Sequence, residues 1–259
     1  KYIALGRRFH VSQVSKLGCI FILVLFSAGA VAQPSIPILT SSTLQTGQTE
    51  YSLTLQLLGL MTVLTLLPSL VLMMTSFTRI IIVLSLLRQA LGTAQTPPNQ
   101  VLLGLALFLT IFIMTPVYTL MNEKAIEPYM NDDIGLEEAL VEAQIPLRKF
   151  MLAQTREDDI VIFTKLLADD VTYDSPDDLP ISLIVPAFIT SELKSAFTIG
   201  FMLYIPFIIV DLVVASVLMS MGMMMLPPVM ISLPFKVLLF VLVDGWNLLI
   251  VNLVAGFAS

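Results

Sequence analysis

One cysteine, Cys19, and one histidine, His10, are all that the 259 residues supply of thiol and imidazole, and charge is scarce, at 12% of the chain. Average soluble domains carry about a quarter charged residues. Cys19 and His10 both fall in the first 32 residues, which read as a secretory leader. Lys1, Arg7, Arg8 and Lys16 form its basic region, Leu17 to Phe26 its apolar region, and Ala30-Val31-Ala32 the small residues before a cleavage point after Ala32. Once that leader is removed, disulfides, thiolate chemistry, imidazole acid–base work and Cys/His zinc sites are excluded by inventory. Cys19 also lies near the start of the apolar run and not after it, which excludes a lipoprotein signal. No phosphate-binding loop, nucleophile elbow, dinucleotide fingerprint or HExxH helix is present, so the expectation is no enzyme and no cofactor.

Hydrophobic residues make up 57% of the chain, and its mean hydropathy is +0.92. With ~20 apolar residues needed for each crossing, this mass allows roughly four spans. The expected fold is an all-α integral membrane protein of about four hydrophobic helical segments in kinked hairpins, with a small acidic helical insertion. The expected divisions are a leader over 1–32, an extracytoplasmic strap over 33–52, a first membrane hairpin over 53–121, the insertion over 122–180 and a second hairpin over 181–259.

A first span is expected from Leu53 to Met74, kinked at Pro68, followed by an interfacial amphipathic helix that ends at Gly92. The second span runs from Val101 to Met121. Between Asn122 and Pro180 there are fifteen Asp or Glu against five Lys or Arg, so the insertion suits the periplasm while Arg79 and Arg88 suit the cytoplasmic side. Within it, Leu136 to Thr155 and Asp158 to Leu167 have helical spacing, with Phe150, Leu152, Ile160, Phe163 and Leu167 as apolar positions. A re-entrant or interfacial helix is expected around Pro186 to Phe197, a third span from Ile199 to about Met221, and a fourth from Val237 to Phe257 with Lys236 at its cytoplasmic mouth. Both ends of the processed chain would then be periplasmic.

Charges within the apolar runs are the first candidate site residues: Arg79, Arg88, Asp211, Lys236 and Asp244. For Asp211 and Asp244 two readings stay open. One is a proton or ion pathway, as in a stand-alone ion or solute transporter. The other is structural pairing with Arg88, Lys236 or a neighbouring copy. Glu192 and Lys194, two apart on a helix, point to different faces, so each needs its own partner, either a second subunit or solvent. The paired acids Asp132-Asp133, Asp158-Asp159, Asp169-Asp170 and Asp177-Asp178 match no calcium loop and read as solvated surface.

The run Met219-Ser220-Met221-Gly222-Met223-Met224-Met225-Leu226-Pro227-Pro228 sets five thioethers beside a helix-stopping turn. Packing, a copper site and a deformable apolar constriction compete for it. Because Met223, Met224 and Met225 cannot all face one side of a helix, the constriction is the preferred reading.

Three blocks carry a resemblance: Arg79-Ile80-Ile81-Ile82-Val83-Leu84-Ser85-Leu86-Leu87-Arg88-Gln89-Ala90-Leu91-Gly92 with Gln95-Thr96-Pro97-Pro98-Asn99-Gln100-Val101; Pro186-Ala187-Phe188-Ile189-Thr190-Ser191-Glu192-Leu193-Lys194-Ser195-Ala196-Phe197; and Leu233-Pro234-Phe235-Lys236 with Val243-Asp244-Gly245-Trp246. From about Leu53 onward the chain resembles the FliP/SctR family of type III secretion export-gate subunits. The resemblance implies a pentamer that joins FliQ and FliR subunits and other flagellar export membrane proteins at the basal body in the bacterial inner membrane. It implies passage of unfolded export substrates, with lipid but no nucleic acid as a further partner. It assigns Met223, Met224 and Met225 to a pore gasket and Phe150, Phe163 and Glu192 to subunit contacts. It also implies that assembled copies are bent hairpins lifted partly out of the bilayer, so that the four spans describe the inserted monomer.

Overall fold

The computed structural model describes residues 49–93, 95–167, 178–223 and 225–257. The leader, most of the strap, Met224, Asp169, Asp170 and Asp177 lie outside the described residues. All regular structure among the described residues is helical. The chain divides into two compact units that meet between Val71 and Leu72.

The first unit contains all but the last two residues of α1, Thr49–Met73, a 25-residue helix with Pro68 inside it. Its apolar side chains stay largely uncovered, with Leu58, Met61 and Leu64 all at least 60% exposed. A helix that leaves such residues uncovered needs lipid or another protein surface around it.

In the second unit, α2 (Phe77–Ala90) is followed by α3 (Asn99–Met121), a π-helical turn (Asn122–Ile126) and α4 (Glu127–Met130). Next come α5 (Leu136–Gln154), α6 (Glu157–Leu167), α7 (Ile181–Ser220), α8 (Pro228–Leu242) and α9 (Gly245–Ala255). Ile80, Val83, Leu84 and Leu87 recur along α2 at three- and four-residue steps and are all buried. They form one side of a core completed by Leu102 and Ala106 of α3, Ala196 and Phe207 of α7, Phe240 of α8 and Leu253 of α9. A second core joins Met151 of α5 to Leu183, Ile184 and Phe188 of α7, with Ile160 and Phe163 of α6 packed against it. Complete burial of a side chain such as Phe188 contributes ~1.5–3 kcal/mol.

Among the described residues, two helices are long and apolar enough to cross a membrane, the continuous helical stretch Asn99–Met130 and Ile181–Ser220. The number rises to four if α1 with α2, and α8 with α9, each count as one broken span. The chain is therefore an all-α membrane protein.

Two expected boundaries are corrected. The separate interfacial helix and third span merge into the 40-residue α7, which continues through Pro186 and Pro206. At 1.5 Å per residue it is ~60 Å long, about twice the hydrocarbon thickness. A proline costs an apolar helix one hydrogen bond, whereas a break leaves several backbone groups unpaired, so continuity wins where no water can substitute. The fourth span, expected unbroken from Val237, begins at Pro228 and bends by 62° between α8 and α9. Asp244 occupies the bend with φ 50° and ψ 51°. The adjoining glycine is required by close approach, because a Cβ on Gly245 would lie 2.3 Å from Phe240 Cε2. Lys236 consequently sits inside α8 and not at a helix mouth.

Candidate functional site

The methionine loop is set by the cap of α7. Gly222, with φ +73°, lets the chain leave the helix in the left-handed region. Its N–H donates to Met219 O at 3.1 Å, and the Met223 N–H donates to Leu218 O at 3.0 Å. This pair of bonds is a Schellman motif, and it satisfies carbonyls that the helix end would leave open. Pro227, extended at φ −68° and ψ 118°, then starts α8. Between these two stops, Met223 is 44% exposed and Met225 99%, and Met221, the residue before Gly222, is 66% exposed. The loop therefore projects soft, apolar, unbranched side chains outward from a fixed base.

Behind the loop, Lys236 is buried and donates from Nζ to Asp211 Oδ2 at 2.6 Å and to Ala90 O at 3.2 Å. Ala90 is the last residue of α2, so the ammonium also meets the negative end of that helix. Ser232 Oγ donates to the other Asp211 oxygen at 2.5 Å. The node ties α2, α7 and α8 together beside the hairpin that carries the methionines. Asp211 thus has its structural partner. Asp244, expected buried, is exposed at the α8–α9 bend, and its carboxylate accepts from Asn247 Nδ2 at 3.2 Å. Arg88 is half-buried and holds the turn before α3, donating to Asn99 Oδ1 at 2.5 Å and Pro97 O at 3.3 Å.

Farther along α7, Glu192 is 0% exposed and is gripped by the Arg79 guanidinium, whose Nε donates to Glu192 Oε2 at 2.9 Å and whose Nη2 bonds Glu192 Oε1. Arg79 also donates to Gln154 Oε1 at 3.2 Å and Gly256 O at 3.4 Å, and its Cζ lies 3.9 Å from the Phe257 ring centre. One guanidinium thereby joins α2, α5, α7 and the end of α9. Glu192, expected at a subunit contact, has its carboxylate engaged by Arg79 within its own chain. Phe150 stacks on Phe257 at 6.2 Å and meets Phe188 edge-on at 6.0 Å. Phe150 and Phe163 are half-buried against the second core, leaving part of each ring open.

Lys194 turns to a different partner, as its spacing from Glu192 requires, and bonds Asp159. Asp159, expected as solvated surface, is instead 1% exposed and accepts from Ser191 Oγ at 2.7 Å. Ser191 Oγ accepts in turn from the Arg156 N–H at 3.0 Å. Burial pushes the Asp159 carboxyl up, but hydrogen bonds from Lys194 and Ser191 and the charges of Lys194 and Arg156 outweigh it and hold it below the usual carboxylate range. This acid was missed because it was read with its neighbour Asp158, which is exposed. Its position four residues before Phe163, on the apolar side of α6, was the available signal.

The FliP family profile matches residues 60–253. Curated relatives called flagellar biosynthetic protein FliP align along most of their length. The relative from Pectobacterium carotovorum subsp. carotovorum is 54% identical over 236 residues, covering 91% of this chain and 91% of its own. That from Bacillus subtilis (strain 168) is 55% identical over 206 residues, or 80% of this chain and 93% of its own. That from Aquifex aeolicus (strain VF5) is 46% identical over 238 residues, or 91% and 97%.

Proposed function

The chain belongs to the FliP family, and from that membership we propose that it is the pore-forming subunit of the flagellar type III export gate. It is a membrane component of the flagellar export apparatus. In the proposed assembly, copies surround an axis in the inner membrane at the basal body, five to a ring, joined by FliQ and FliR subunits. Unfolded rod, hook and filament proteins pass along that axis. Met223, Met224 and Met225 close it, and the open edges of Phe150 and Phe163 meet neighbouring copies. The chain works by shape and packing and carries out no catalysis.

The methionine loop carries this reading. It is an exposed apolar loop with a fixed base, and a hydrophobic constriction needs adaptable side chains that repel water when closed and yield to passing chains. The transporter reading, which needs Asp211 and Asp244 as a relay, is not favoured: Asp211 is held by Lys236 and Ser232, and Asp244 has Asn247 for its partner.

A strain deprived of this chain is expected to secrete no flagellar subunits and to regain secretion when the chain is restored. Changing Met223, Met224 and Met225 together to Ser is expected to make its membranes leak small ions. Normal secretion without the chain would overturn the reading.

A further inference from the structure

Three side chains from separate segments meet just past the end of α9. The Arg79 guanidinium lies over the Phe257 ring, with Cζ 3.9 Å from its centre, and Phe257 stacks on Phe150 at 6.2 Å with 19° between the ring planes. Phe150 in turn meets Phe188 of α7 edge-on at 6.0 Å. Stacked and edge-to-face pairs with centres about 4.5–7 Å apart are the favoured aromatic geometries, and a cation over a ring face adds electrostatic attraction. The backbone fixes the place of Phe257. Its N–H donates to Val254 O at 3.1 Å, Gly256 O accepts from Arg79 Nη1 at 3.4 Å, and Leu249 and Leu253 anchor α9 in the first core. Phe257 packs against that core and Phe150 against the second, so their stack joins the two. Phe257 lies beyond the residues that the family profile matches, and membership assigns it no role.

We propose that Phe257 is a positioning residue for the contact between copies: it sets the angle at which the half-buried Phe150 ring presents its open edge. That the edge meets a neighbouring copy rests on the pore reading above. The terminal torsion of a phenylalanine has broad wells, so a half-buried ring keeps one orientation only where it is packed from more than one side. Phe188 packs Phe150 from α7, and Phe257 packs it from the end of α9. Without Phe257 the Phe150 ring turns into the space left behind, and its outward edge turns with it. The effect passes through Phe150, since it is the Phe150 edge that makes the contact.

The test places 4-fluorophenylalanine at position 150 of the full, detergent-solubilised chain and reads its fluorine NMR signal. Phe257→Leu is expected to move and broaden that signal, and Phe257→Tyr, which keeps the ring, to leave it in place. In cells, a benzoylphenylalanine replaces Ala153, which is exposed and one helical turn beyond Phe150, and light-driven crosslinks between copies are counted per folded chain. They are expected to fall about two- to tenfold in Phe257→Leu and to recover in Phe257→Tyr. A residue that only stabilised the fold would lower the unfolding midpoint and the amount of chain, and leave the crosslinks per folded chain unchanged. An unmoved fluorine signal, or crosslinks that Phe257→Leu leaves intact, would overturn the proposal alone. A chain with Phe257 in place that gives no crosslinks would overturn the pore reading and this proposal with it.

Discussion

Arg79 on α2 and Glu192 on α7, 113 positions apart in sequence, form a side-on ion pair with almost no access to solvent. The pair lies where the two cores meet, and Arg79 extends it to Gln154 and to the backbone of Gly256. The block from Ser191 to Ser195 is thereby explained as an internal lock on α7. Ser191 and Lys194 take Asp159, Glu192 takes Arg79, and Ser195 Oγ accepts from Arg156 at 3.4 Å.

Removing one half of a buried pair leaves the other charge uncompensated, at a cost of about 3–5 kcal/mol. Glu192→Ala is expected to lower the thermal unfolding midpoint of the detergent-solubilised chain and its level in membranes. The double change Arg79→Leu with Glu192→Leu is expected to recover most of the loss, since it removes both charges. Intrinsic fluorescence during heating checks this, and equal midpoints for wild type and Glu192→Ala would refute it.

Asp159 makes the attachment of α6 acid-sensitive. Its folded-state value lies below the ordinary one, so its contribution is complete above the usual aspartate range and is lost as pH falls through the folded value. The protection of amides in residues 157–167 against hydrogen exchange, measured relative to the intrinsic rate at each pH, is expected to fall on acidification below pH about 4. In Asp159→Asn, exchange should already be faster at neutral pH and show less acid dependence. Identical acid profiles for the two proteins would contradict the assignment.

Gly245→Ala places a methyl group against the Phe240 ring edge, within 2.4 Å of two ring carbons. Overpacking of this kind costs about 1–3 kcal/mol. The variant is expected to unfold at a lower temperature and to secrete less, and Phe240→Leu in the same chain to restore part of both. A Gly245→Ala chain as stable as wild type would show that the bend tolerates a side chain.

Much of this architecture was legible in the apolar runs. Proline, glycine and short polar turns separate α1 from α2, α2 from α3 and α5 from α6 near the expected positions. The helix-stopping glycine and paired prolines likewise marked the methionine loop. Most of what failed depended on partners far away in sequence. Glu192 and Lys194 suggested a break in α7 because charges disfavour a span, yet Arg79 and Asp159 neutralise them and the helix runs on. The bend at Asp244 was hidden inside an unbroken hydrophobic stretch, where only the ring of Phe240, five residues before Gly245, explains the glycine. Asp159 looked like one of many surface acids until α7 closed over it.

The proposed pore is tested most directly by placing a single cysteine at Met223, in a Cys19→Ala background, and oxidising intact cells while secretion of flagellar proteins is followed. The account predicts crosslinks between copies of the chain and a block to secretion that a reducing agent relieves. An uncrosslinked chain in cells that secrete normally, with the cysteine shown to be reactive, would contradict it.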